Sequence, residues 1–138
     1  MLENTHDLEI NEKNVLSEND ERIMNEFETI AKDSTSDLND FRFHLASEKI
    51  YHYVWHEFAD KIIEESKPLL KNDDNHNDHL RKSRQKLLRE LLLKNLILLH
   101  PFMPFITEEI WGMIPPGKDS SKKEAGFLLV TPWLSFPV

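Results

Sequence analysis

The sequence predicts an all-α fold, a bundle of four main helices with a short extended C-terminal arm. Three observations carry that expectation. Only three glycines occur, all near the C-terminus, in a chain rich in Leu and Glu, and such a composition favours helix over sheet. From Leu38 to Ser66 apolar residues recur at spacings of three and four with no proline or glycine between them. Prolines fall at 68, 101 and 104, where one periodic run stops and another starts. With 138 residues the chain is long enough to bury one core.

Taken in order, residues 1–16 are polar and aperiodic and read as a flexible N-terminal segment. A first helix follows in which Ile23, Met24, Phe27, Ile30 and Ala31 share a face, with Ser17, Asn19 or Asp20 as its cap. The stretch DSTSDLND supplies turn and capping residues before the second helix, from Leu38 to Ser66. On a regular helical wheel the second helix is apolar over most of its girth. Phe41, Leu45, Ala59 and Ile63 form one strip, Tyr51, Trp55, Phe58 and Ile62 another, and Phe43, Ile50 and Val54 a third. That places it at the centre of the bundle, with Arg42, Lys49, Tyr53, His56 and Asp60 as its polar stripe and Pro68 closing it.

The polar loop LLKNDDNHNDH leads to a third helix, from about Asp78, a plausible cap by residue type, to Leu99, with Leu80, Leu87, Leu91 and Leu98 inward. Lys82, Lys86 and Arg89 lie on nearly the opposite side, and Arg81, Arg84 and Lys94 bring the segment after Asp78 to six bases against one acid, Glu90. Pro101 forbids continuation, and Pro104 suits the first turn of a fourth helix, where a missing amide hydrogen costs nothing. HPFMP is therefore a tight corner. Residues 17–114 are expected to form the helical domain, and 115–138 a loop and an apolar, β-prone arm, FLLVTPWLSFP.

The net charge of -8 argues against a nucleic-acid binder until its distribution is considered. Residues 1–40 hold twelve acids against three bases, whereas the remainder holds fourteen bases and thirteen acids. The acidity is thus an N-terminal property that leaves room for a local basic surface elsewhere, and the basic strip of the third helix reads either as a solvated face or as a phosphate contact. No cysteine, no secretory start and no long apolar run are present, which leads to the expectation of a cytoplasmic chain with no disulfide and no membrane span.

No nucleotide-cradling glycine loop and no activated nucleophile occur, so no catalytic residue is expected. His52 and His56 lack a third ligand at suitable spacing, and His76 and His79 beside Asp73, Asp74 and Asp78 read as a solvated loop, so no metal site is expected either. Asp60, Glu64 and Lys67 read as ordinary ion pairs along one helix.

FRFHLASEKIYHYVWHEFADKIIEESK, from Phe41 to Lys67, followed some thirty residues later by LLHPFMPFITEEIW, resembles the anticodon-binding helical domain of class I aminoacyl-tRNA synthetases of the valyl, isoleucyl and leucyl group. The form HPFMPFITEEIW is most like the valyl members. That family more often has Cys at the place of Ala59 and aromatics near Lys61 and Ile62. The resemblance spans about residues 37–114. It implies a module that grips the anticodon stem and loop of a tRNA, with tRNA-Val the first expectation, while a parent ligase attaches the amino acid using ATP with Mg. The HIGH-like and KMSKS-like signatures of the catalytic domain do not occur in the sequence, so the chain is expected to be an excised or stand-alone domain, monomeric and inactive alone.

Charge and helical phase nominate Arg42 for loop contact, Lys82, Lys86 and Arg89 for phosphates, and Arg81 and Arg84 as second choices. Trp55, Phe58, Pro101, Phe102, Pro104, Phe105 and Trp111 are assigned to packing, because their size and spacing suit a core. A rival reading is a helical protein-interaction domain that docks through FLLVTPWLSFP.

Overall fold

The computed structural model describes residues 18–71, 78–115 and 126–134. The expected N-terminal segment 1–16, most of the DDNHND loop and the loop before Gly126 lie outside these residues. The regular elements of the described part are all helices. Helix α1 spans Glu18–Asn39, and α2 (Phe43–His52) runs into a π-helical stretch (Tyr53–Ile62) and on into α3 (Ile63–Lys71) as one rod. Helix α4 spans Asp78–Leu99 and α5 spans Pro104–Met113.

Helix α1 is longer than its apolar pattern predicts, because the polar residues of DSTSDLN are used inside it. Ser34 is buried, Thr35 Oγ1 donates to the carbonyl of Ala31 at 2.7 Å, and buried Asp37 accepts from Lys49 Nζ at 2.6 Å and Arg42 Nε at 3.1 Å. These partners hold Asp37 below the ordinary carboxylate range, the Lys49 hydrogen bond first. The turn comes at Asp40–Arg42, where Arg42 N donates to Asp37 O and Phe41 N to Leu38 O, a Schellman closure. Phe41 occupies the left-handed position there, with φ 61°, where glycine is usual.

The π-helical stretch rearranges the second rod. Its i→i+5 hydrogen bonding puts residues five apart on one face, so Tyr53 and Phe58 both turn inward with Ile62. A regular wheel assigns Tyr53 to the polar stripe and Trp55 to the core; the structure reverses both. Burial pushes the Tyr53 phenol above its ordinary range, and Glu26 and Glu57 add to that. Pro68 does not end the rod, which continues to Lys71. Pro68 and its neighbours Glu64, Glu65 and Lys67 are exposed, so water can serve the carbonyl deprived of a donor.

The central helix is α4, not the second rod. Leu87, Leu91 and Leu98 pack with Ile23, Phe27, Ala31, Ile50, Tyr53, Phe58 and Ile62. Leu93, Leu96 and Ile97 pack on its other side with Trp111 and Leu128. Leu80, expected inward, is exposed. The arm forms a short 3₁₀ turn, Leu128–Val130, between extended residues Phe127 and Thr131. Trp133 packs against both clusters, and its Nε1 donates to Thr35 Oγ1 of α1 at 3.1 Å.

Candidate functional site

Helix α4 sorts its cations by phase. Arg84 falls beside Leu91 and within about 60° of Leu87 on the wheel and points inward, where it is 5% exposed. Its Nε donates to Asp20 Oδ1 at 2.8 Å and its Nη1 to Ser66 Oγ at 2.9 Å, while Ser83 Oγ donates to Asp20 Oδ2 at 2.7 Å. Asp20 is itself 1% exposed. This clasp joins α1, α3 and α4, and it removes Arg84 from the residues able to meet a phosphate. Its burial corrects the second-choice assignment.

Lys82 and Lys86 face solvent, and Arg81 is half-buried at the border. Arg89 is half-buried and donates through Nη2 to the carbonyl of Pro115, which ties it to the end of α5. Arg42 is about half exposed, bonded to Asp37 and, through Nη2, to Asp40 Oδ2 at 3.1 Å. Of the six nominated cations, then, Lys82 and Lys86 form the outward ridge, Arg81 borders it, and Arg42 stands apart on the second rod.

The corner motif is a clamp for the arm. Thr107 Oγ1 donates to Met103 O at 2.7 Å and lies 2.9 Å from His100 Nδ1, which fixes the first turn of α5 behind Pro104. Glu108 accepts two backbone amides of the arm, Leu128 N at 2.8 Å and Leu129 N at 2.9 Å. Trp111 is buried and its Nε1 donates to Gly126 O at 3.2 Å. Of the residues assigned to packing, Phe58 and Trp111 are buried and Phe102 is half-buried. Trp55, Pro101, Pro104 and Phe105 are exposed, Phe105 to 90%. Phe105 points out because Thr107, Ile110 and Trp111 already fill the inward side of α5. Beside it a groove of about 460 Å³ opens between Phe105, Glu108, Phe127, Leu129 and Val130.

Among the described residues no group of three or more His, Asp or Glu is arranged to hold a metal ion, and His76, Asp73 and Asp74 lie outside them. His52 and His56 have ring centroids 4.9 Å apart, and Lys67 pairs with Glu64 at 2.5 Å. No described helix is long and apolar enough to cross a membrane.

Comparison with known proteins gives this arrangement its context. The family model for the anticodon-binding domain of tRNA ligase matches residues 20–137. The chain belongs to that family. It is 38% identical over 124 residues to a valine–tRNA ligase of Geobacter sulfurreducens, covering 88% of this chain and 14% of that protein. Against the Thermotoga maritima valine–tRNA ligase it is 37% identical over 101 residues, covering 73% of this chain and 11% of the relative. With the Coxiella burnetii valine–tRNA ligase it shares 34% over 139 residues, 98% of this chain and 14% of the relative. The chain therefore spans only about a seventh or less of the curated relatives it matches. The helices of this domain display cations on one surface and flat rings on another.

Two features escaped the sequence reading. The Asp20–Arg84 clasp was legible, since Arg84 shares the phase of the inward leucines. The role of Glu108 was not, because its partners are backbone amides twenty residues away that no side-chain pattern marks.

Proposed function

We propose that this anticodon-binding domain grips the anticodon stem and loop of a tRNA, tRNA-Val first, as part of a valine–tRNA ligase. Aminoacylation with ATP and Mg then belongs to the catalytic part of that parent enzyme, in the cytoplasm, and the domain acts as a monomer. The observation that carries the reading is the family match over residues 20–137. The outward ridge of Lys82 and Lys86 supports it, because exposed cations one helical turn apart suit neighbouring phosphates of a stem. Arg81 adds to the ridge. Arg42 remains our candidate for a loop contact and Arg89 for a phosphate contact, each at the expense of its present hydrogen bonds.

The test is a titration of the full chain against transcripts of tRNA-Val, tRNA-Ile and tRNA-Leu at two salt concentrations. The reading expects tRNA-Val to bind best and affinity to fall steeply between about 50 and 200 mM salt. Preference for tRNA-Ile or tRNA-Leu would reassign the ligase while keeping the function. Absence of salt-dependent RNA binding would overturn it.

A further inference from the structure

The second rod exposes a run of aromatic rings that neither the core nor the cationic ridge uses. Tyr51 and Trp55 are 56% and 55% exposed, although each would bury a large apolar area if turned inward. Their rings lie parallel, with an interplanar angle of 11° and centroids 5.4 Å apart. The change from α to π helix at residue 53 produces this: it brings Phe58 and Ile62 into phase with Tyr53, which the preceding α-helix already points inward with Ala46 and Ile50, and leaves Trp55 outside, one turn beyond Tyr51. π-Helical segments are uncommon and gather at functional sites. At the head of the same rod Phe41 and Phe43, also exposed, meet edge to face at 6.1 Å. Phe41 is held at φ 61°, a strained position for a bulky side chain that burial does not explain.

The chemistry of this strip differs from that of the other exposed apolar surface. Around the groove at the corner the exposed residues are largely aliphatic, Ile106, Leu129 and Val130 beside Phe105 and Phe127. Along residues 43–61 no Leu, Ile, Val or Met is exposed; the outward positions are Phe, Tyr, Trp and His among polar residues. Ala59 is the one aliphatic residue exposed there, and a strip so dominated by flat rings suits flat ligands. A preformed parallel pair offers an outer ring face at little entropic cost, and every nucleobase has a face to lay on it. RNA loops are read in this way, their unpaired bases splayed onto aromatic planes while cations elsewhere hold the stem.

We propose that Tyr51 and Trp55 form a stacking platform for an unpaired nucleobase of the bound RNA loop. The proposal rests on the RNA-binding reading above and deepens it, assigning base contact to the second rod and phosphate contact to α4.

The experiment measures the affinity of the full chain for an anticodon stem-loop RNA and for a blunt duplex of the same stem. Three variants are compared, Trp55→Phe, Trp55→Leu and Lys86→Gln, each checked for an unchanged thermal melt. Trp55→Phe keeps a flat face and is expected to bind the stem-loop nearly as the parent chain does. Trp55→Leu keeps apolar bulk without the face and is expected to lose roughly tenfold or more for the stem-loop, the scale of one lost base stack, and nothing for the duplex. The salt dependence of Trp55→Leu is expected to stay unchanged, and the stem-loop is expected to quench the part of the tryptophan fluorescence that Trp55→Phe removes. Equal binding by the Leu and Phe variants would overturn the platform, and so would an equal loss for duplex and stem-loop. If Lys86→Gln weakens binding while both Trp55 variants leave it intact, the platform falls and the RNA-binding reading stands. If no RNA binds at all, both fall.

Discussion

Arg84 and Lys86 stand two positions apart on α4 and carry the same formal charge, yet one lies in the core and the other in water. Arg84 has exchanged its hydration for Asp20 and Ser66, and the exchange holds three helices in register. Lys86 has made no such bargain with the core and keeps its charge at the surface. The contrast teaches that a run of basic residues is not yet a binding surface. Helical phase divides it into charges that build the scaffold and charges that the scaffold presents.

The largest test of that division is Arg84→Ala. It leaves Asp20 buried without its cationic partner, with Ser83 still donating to it, and is expected to cost about 3–5 kcal/mol in urea unfolding. The double change Asp20→Leu with Arg84→Met removes both charges, and is expected to recover most of that loss, because an apolar replacement of a buried pair is often neutral. If Arg84→Ala alone were silent, the clasp would not be what joins α1 to α4.

Trp111→Ala strips the second core cluster of its largest member and is expected to cost a similar 3–5 kcal/mol, read from the same unfolding curve. Glu108→Gln is milder. One of its two bonds to the arm keeps an acceptor and the charge disappears, so about 1–2 kcal/mol is expected, with the emission of Trp133 shifting as the arm loosens.

Asp37 provides the pH test. Its carboxyl is lowered below its ordinary value of 3.8 by Lys49 and Arg42. Its contribution is therefore fully present above that value and is lost as pH falls through the lower, folded one. Melting temperature is expected to drop on acidification below about pH 4, and Asp37→Asn, less stable at neutral pH, is expected to lose less over the same range. The smallest effect belongs to the outward face. Lys86→Ala is expected to change stability by no more than about 0.5 kcal/mol, which thermal melting checks.

How much of this was legible in the sequence follows the same inward and outward division. The four rods, the proline corner and Leu87, Leu91 and Leu98 on the inward face of α4 came directly from spacing, because a regular α-helix converts sequence interval into direction, whereas Leu80 at the start of α4 is exposed against that reading. The second rod broke that conversion. Tyr53 went in because the inward face of the rod is that of Ala46 and Ile50, and the π-helical stretch after it brought Phe58 into line with Tyr53 and left Trp55 out against expectation. The long tail of α1 escaped for a different reason. Ser34, Thr35 and Asp37 carry turn-forming propensities locally, and here their hydroxyls and carboxylate are satisfied within the helix and by Lys49 and Arg42. Of the nominated cations, Lys82 and Lys86 kept the exposure that phase gave them, and Arg84 lost it for a reason that the same wheel contained.

The account depends most on the outward face of α4 meeting RNA phosphates while its inward face only holds the fold. The direct measurement is the dependence of anticodon stem-loop affinity on salt for the parent chain and for Lys82→Gln with Lys86→Gln. The log–log slope is expected to become shallower by about one for each lysine removed, with the unfolding midpoint unmoved. A slope that stays the same, with RNA still bound, would contradict the assignment of that face.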